Sequence, residues 1–206
     1  MFDYKIDDET ELRLIEPRHA EALNTLIEQN HAHIKEWSGW LKDDRSIENT
    51  RVFIKSNLTR FAENQGFGIA IWYRGEMAGQ IEYNYLDWAN QKTEIGYWLG
   101  ASFQGKGLVT KSCRVLIDHA FNELKLNRVE MHCGVENKRS RKIPERLGFK
   151  EEGVIRQAGW LHDHFVDHVI YGMLASEWLD KNRSSGAARS ADGAVSQHIQ
   201  PDRSIA

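Results

Sequence analysis

One stretch limits the folds open to this chain more than any other. From Thr93 to Leu99 the sequence T-E-I-G-Y-W-L alternates, with Ile95, Tyr97 and Leu99 on one face and Glu94, Gly96 and Trp98 on the other, as a strand does. A loop with two glycines follows from Gln104 to Thr110 (Q-G-K-G-L-V-T). Val109, Cys113, Leu116, Ile117, Ala120, Phe121 and Leu124 then recur at helical spacing, the clearest amphipathic helix in the chain. Arg128 to Val135 reads as another strand. Strand, loop, helix and strand in this order require a right-handed crossover and a locally parallel pair. The glycine inside the first strand predicts a bulge there.

The flanking sequence supplies the other elements. Glu11 to Glu16 alternates as a first strand, and Pro17 suits a first helical turn. Ala20, Leu23, Leu26 and Ile27 follow at helical spacing. Ser46 reads as the N-cap of a second helix carrying Ile54, Leu58 and Phe61 on one face. Phe67, Ile69 and Ile71, then Gly79, Ile81, Tyr83 and Tyr85, form an antiparallel hairpin about Arg74-Gly75. Ser140 to Leu147 is a short helix, and Phe149 to Ala158 with Phe165 to Leu174 a last strand pair around His162-Asp163. Residues 1–181 thus form one domain. Residues 182–206, rich in Ser, Ala, Gly and charge, read as a disordered tail or a cloning remnant.

With 206 residues, 41% of them apolar, the chain builds one ordinary core. A net charge of -3 with mixed signs gives no footprint for nucleic acid. The first residues lack the apolar run of a signal peptide, and no stretch is apolar enough to span a bilayer, so no membrane partner and a cytoplasmic location are expected. Cys113 and Cys133 fall in apolar-periodic segments and read as reduced core thiols. His31, His33, His162, His164 and His168 match no metal spacing and read as turn and strand-surface histidines; no metal is expected.

The glycines of the Gln104 to Thr110 loop let the main chain approach a ligand, and amides at a helix start face an anion; the plain alternative is a simple turn. Lys106 adds one charge. The loop lacks the closing Gly-Lys-Ser/Thr of a nucleoside-triphosphate loop and the three glycines of a dinucleotide fingerprint.

Thr93 to Leu99, Gln104 to Thr110, Val135 to Ser140 (V-E-N-K-R-S) and Arg146 to Gly153 (R-L-G-F-K-E-E-G) together resemble the GNAT family of N-acetyltransferases in order and spacing. The set looks narrowly like the Rim-type ribosomal-protein N-terminal acetyltransferases, over residues 9–178. The resemblance implies an α/β fold with a mixed, mostly antiparallel sheet flanked by helices, and acetyl-CoA in a splay between the two central strands. It places the cofactor against Trp98 and Leu99, along Gln104, Gly105, Lys106, Gly107, Leu108, Val109 and Thr110, and near Asn137. The family's pyrophosphate pattern falls on Gln104, Gly107 and Val109; Val109 departs from its usual small residue and is expected to crowd the loop slightly. Asn137 has the alternative of a turn residue.

Ser140 matches the serine that Rim-type enzymes use as general acid to the departing thiolate; its other reading is an N-cap. The glutamate expected just after Val154-Ile155-Arg156-Gln157-Ala158 is replaced by Gly159, so the base is not carried over. Glu94 and Glu82 are the remaining candidates; Glu94 is favoured, and Glu82 reads rather as a solvated or paired strand residue. Trp37 and Trp40 either gate the acceptor or anchor their loop. An acyl-cysteine route through Cys133 lacks any neighbour that would lower its pKa, so direct transfer in a ternary complex is expected. The resemblance implies a protein N-terminus, of a ribosomal protein, as the acceptor; from the chemistry alone, a site with an imperfect base suits an α-amine, whose neutralisation at pH 7 costs roughly 1.4 kcal/mol against roughly 4.6 for lysine. A small-amine acetyltransferase and a non-catalytic CoA sensor are the rivals. The resemblance also carries the expectation of a homodimer.

Overall fold

Successive side chains of a strand point to opposite sheet faces, and this parity decides which side chains meet on each face. The computed structural model describes residues 3–39, 41 and 44–180; Trp40 and residues 182–206 lie outside them. Strands β1 (Asp3–Lys5), β2 (Thr10–Leu14), β3 (Phe67–Tyr73), β4 (Glu76–Asp87), β5 (Lys92–Leu99), β6 (Arg128–Gly134), β7 (Lys150–Leu161) and β8 (His164–Leu174) form one sheet in the order β1-β2-β3-β4-β5-β6-β8-β7. The β3–β4 hairpin turns at Arg74 and Gly75, both with positive φ. Every neighbouring pair is antiparallel except β5 and β6.

The parallel pair is short. It runs from Lys92↔Arg128 through Thr93↔Val129 to Glu94↔Glu130, and there the register ends. The connection between the two strands is carried by α4 (Leu108–Asn122), as the periodicity predicts. Its inner residues Val109, Cys113, Leu116, Ile117, Ala120 and Phe121 are all buried. They pack on Ile81, Tyr83, Ile95, Met131 and Cys133 from the sheet. Each large side chain of this kind contributes about 1.5–3 kcal/mol by leaving water.

The opposite face is covered by α1 (Ala20–Gln29) and α3 (Ile47–Ala62), whose Ala20, Leu23, Leu26 and Ile54 meet Ala70 and Met77. Ser46 caps α3 by accepting the Asn49 amide at 3.4 Å. The fold is therefore the mixed, mostly antiparallel sheet with helices on both faces and a split between its central strands. No helix among the described residues is long and apolar enough to cross a membrane.

Several local expectations are corrected. The bulge lies not in β5 but in β4, between Tyr83 and Tyr85, where Asn84 has no partner in the β5 register. Gly96 makes room for it: a Cβ there would stand 2.7 Å from Asn84 Oδ1. The helix α5 (Lys138–Leu147) starts two residues before Ser140, because Asn137 is the cap. The five-residue helix α2 (His31–Lys35) and strand β1 are too short to show a period.

Candidate active site

The loop before α4 owes its shape to two glycines. Gly105 and Gly107 have φ of 77° and 76°, and a Cβ on either would touch nothing within 4 Å. Left-handed backbone alone, at about 1–2 kcal/mol for other residues, therefore calls for glycine here. Gly107 caps α4 without any side chain, and the first helical bond runs from Lys111 N to Gly107 O at 3.0 Å. The amides of Leu108, Val109 and Thr110 precede that bond and sit at the positive end of the helix dipole. Val109 is buried in the core beneath α4, so packing absorbs its bulk.

Gln104, Gly105, Gly107, Leu108, Val109 and Thr110 line one end of a cleft of about 1710 Å³, as do Trp98, Leu99 and Asn137; Lys106 does not. Gln104 is fixed from both sides, its Nε2 2.7 Å from His33 Nε2 and its Oε1 accepting Arg139 Nη1 at 3.2 Å. His33, read from sequence as a surface histidine, thus belongs to the cleft wall. Lys138, Arg139, Lys142 and Arg146 bring cationic side chains from α5 to the same cleft.

The cleft passes through the split between β5 and β6, so strand parity sorts its side chains into two groups. Tyr97 and Cys133 belong to the α4 face and meet Ser140. Asn137 Oδ1 accepts the Ser140 amide at 3.1 Å, which makes Asn137 the cap and leaves the Ser140 hydroxyl free of that task. Ser140 Oγ lies 3.2 Å from the Tyr97 hydroxyl and 3.3 Å from Cys133 Sγ, and the Tyr97 hydroxyl donates to Ser140 O at 3.1 Å. Burial pushes both the Tyr97 phenol and the Cys133 thiol up, although the Ser140 contacts pull the other way. The cluster is uncharged at neutral pH, and Cys133 is a thiol rather than a thiolate.

The opposite face holds the ionisable groups. Glu94 Oε1 accepts Asn84 Nδ2 at 2.7 Å, and its Oε2 is 3.5 Å from His132 Nδ1. The other side of that imidazole, Nε2, is 3.1 Å from Glu130 Oε2. Arg128 donates to Glu130 at 2.7 Å, and Lys92 lies 3.5 Å from it. Glu82 pairs with Arg60 at 3.4 Å. Burial pushes the Glu82 carboxyl up, with the Glu94 charge in the same direction and Arg60 opposing.

His168 also lines this part of the cleft, although sequence placed it on a strand surface. His164 lines the cleft as well, at an exposed position 2.9 Å from Asp163 Oδ1. Trp37 packs over Gly134, its ring atoms 3.8 Å from where a Cβ would be. Among the described residues, no group of three or more His, Cys, Asp or Glu side chains is placed to hold a metal. Sequence reading did not single out Tyr97, Asn84, His132 or Arg139 as site residues. Tyr97 was the most accessible of these, since the parity of Thr93 to Leu99 already set it opposite Glu94.

Residues 10–150 match the family model described as acetyltransferase (GNAT) domain. The chain is 39% identical over 179 residues to the Bacillus subtilis protein named "Putative ribosomal N-acetyltransferase YdaF", which covers 86% of this chain and 98% of that one. Among solved structures it is similar to the microcin C7 self immunity acetyltransferase MccE in complex with acetyl-CoA and AMP (TM-score 0.79, 33% identity, 82% of this chain and 94% of that one). It is likewise similar to the ribosomal L7/L12 alpha-N-protein acetyltransferase RimL in complex with coenzyme A (TM-score 0.81, 28% identity, 85% and 99%). The chain belongs to the GNAT acetyltransferase family, and it is an N-acetyltransferase of that type.

Proposed function

We propose that this protein moves an acetyl group from acetyl-CoA directly to the α-amine of a protein N-terminus, with a ribosomal protein as the natural candidate. One observation carries the acceptor: the carboxylates of the sheet face opposite α4 are already engaged, Glu82 by Arg60, Glu94 by Asn84 and His132, and Glu130 by Arg128 and Lys92. A polyamine site needs free carboxylates to meet several cations at once. A single α-amine entering past Trp37 does not.

The residues present fit acetyl-CoA. The amides of Leu108 to Thr110, set by two left-handed glycines, form an anion cradle, and the cationic side chains of α5 add charge around it. Acetyl-CoA supplies a thioester-activated acetyl group. β5 offers its backbone groups along the split, where Trp98 and Leu99 bound the cleft. Ser140 Oγ holds a proton for the leaving sulfur, oriented by Tyr97 and kept in a neutral setting. Glu94, fixed by Asn84 and His132, supplies negative charge on the amine side. The raised Cys133 thiol favours direct transfer over an acyl-cysteine.

Release of free CoA thiol tests this reading with N-terminal peptides, lysine peptides and polyamines. Turnover is expected on N-terminal peptides, falling about 10²-fold in Ser140→Ala, the scale of lost proton transfer. Turnover confined to polyamines overturns the acceptor, and saturable CoA binding without any turnover overturns the catalytic reading. A small-molecule acceptor is the second reading, favoured by the likeness to an acetyltransferase bound to AMP.

A further inference from the structure

Gly159 and His168 form a complementary pair on the last two strands. Gly159 stands opposite Val166, and its φ lies outside the left-handed region. Its backbone would accept any side chain. His168 prevents that: a Cβ on Gly159 would lie 2.8 Å from His168 Nε2, 3.1 Å from Cε1 and 3.4 Å from Val166 Cγ2. The imidazole therefore occupies the space that a side chain from β7 would fill.

The arrangement depends on an irregular register. Between Ile155 and Gly159 the β7–β8 pairing slips, Gln157 adopts φ of 53°, and its amide donates to Asp167 Oδ1 at 2.7 Å. His168 pairs across β8 with Gly134 of β6, the strand that borders the split. Adjacent strands stand about 4.8 Å apart, and Gly134 contributes no side chain of its own there, the space above it being bounded by the Trp37 ring. The His168 imidazole lines the cleft and makes no side-chain hydrogen bond among the described residues, whereas His132 is held between Glu94 and Glu130.

We propose that His168 is the general base of the acetyl transfer, and that Gly159 is the positioning residue that leaves it room. The proposal rests on the N-acetyltransferase reading of this cleft. The nitrogen–carbon bond forms as the carbon–sulfur bond breaks; the amine proton passes to a ring nitrogen of His168, and the sulfur takes the Ser140 Oγ proton. Solvent then removes the first proton and restores the second.

The surroundings keep the imidazole in its accepting form. Burial pushes His168 down from the usual histidine value, the charge of His132 on β6 acts in the same direction, and Glu94 on β5 and Asp167 on β8 oppose. From β7 it is faced by Ile155 and Gly159, neither of them charged.

The test uses the full chain with acetyl-CoA and an N-terminal peptide that the wild type acetylates. The ring proton of His168, assigned by its loss in His168→Gln, is expected to titrate below 6.5 and to coincide with the acid limb of the wild-type kcat/KM profile. His168→Gln should lose that limb and about 10²-fold in kcat. Its calorimetric Kd for acetyl-CoA should stay within about twofold, a negligible change in binding energy. Gly159→Glu alone should be impaired by collision with the ring. Gly159→Glu combined with His168→Ala should recover about tenfold over His168→Ala, with the acid limb moved toward the carboxylate range. Retention of rate and limb in His168→Gln, or transfer of their loss to Glu94→Gln, overturns the assignment of His168. Absence of peptide turnover by the wild type overturns instead the function on which it rests.

Discussion

Tyr97 ties the sulfur side of the cleft to the sheet, because a single hydroxyl meets both the carbonyl and the hydroxyl of Ser140. Tyr97→Phe keeps the ring in the core and removes only that contact. A hydrogen bond worth about 1 kcal/mol converts to about a fivefold fall in kcat, with KM for acetyl-CoA little changed. Steady-state thiol release measures both. Ser140 was singled out by the resemblance alone, and its alternative reading as a cap is corrected, since Asn137 Oδ1 accepts the amide at position 140. His168 was not legible at all. Its place over Gly159 follows from a slipped strand register at Gln157, and nothing in local alternation announces a slip that spans several residues.

At the scale of elements, the start of α4 and the split beside β5 carry the site. Gly107→Ala forces an L side chain into a left-handed cap and should cost about 1–2 kcal/mol in stability, read by thermal unfolding, and weaken acetyl-CoA binding in calorimetry. Gly96→Ala acts at a distance: its methyl would displace Asn84 and take from Glu94 the amide that holds it. The expected outcome is a higher KM for the acceptor peptide with KM for acetyl-CoA unchanged. The helix α4 could be read from period alone because its apolar face is continuous from Val109 to Phe121. The bulge was assigned to the wrong strand because a glycine shows where space is needed, not which neighbour uses it. Strand β7 is exposed along most of its length, so its apolar Val154 and Ile155 gave no face to orient by.

Across the whole molecule, acid should loosen the ties that join distant parts of the chain. Lys111 on α4 hydrogen-bonds Asp7 at 2.6 Å and holds its carboxyl at about 2, and Arg128 on β6 holds Glu152 on β7 below the usual carboxylate range. The unfolded chain binds more protons than the folded one between those values, so the stability these groups contribute is present above about pH 4.5 and lost as pH falls toward 2. Both are partly solvated, and each contributes about 1 kcal/mol or less. Melting temperature followed from pH 7 to pH 3 should fall, and Glu152→Gln should flatten part of that slope. The split has a wider consequence. Two portions of one sheet, joined side by side through only three registered residue pairs, form a seam that a bound ligand would close from within. By mass action, a ligand present at about a hundred times its Kd adds about 2.7 kcal/mol to the folded state. Acetyl-CoA supply would then govern survival as well as turnover, with a starved cell degrading the enzyme sooner than a well-fed one.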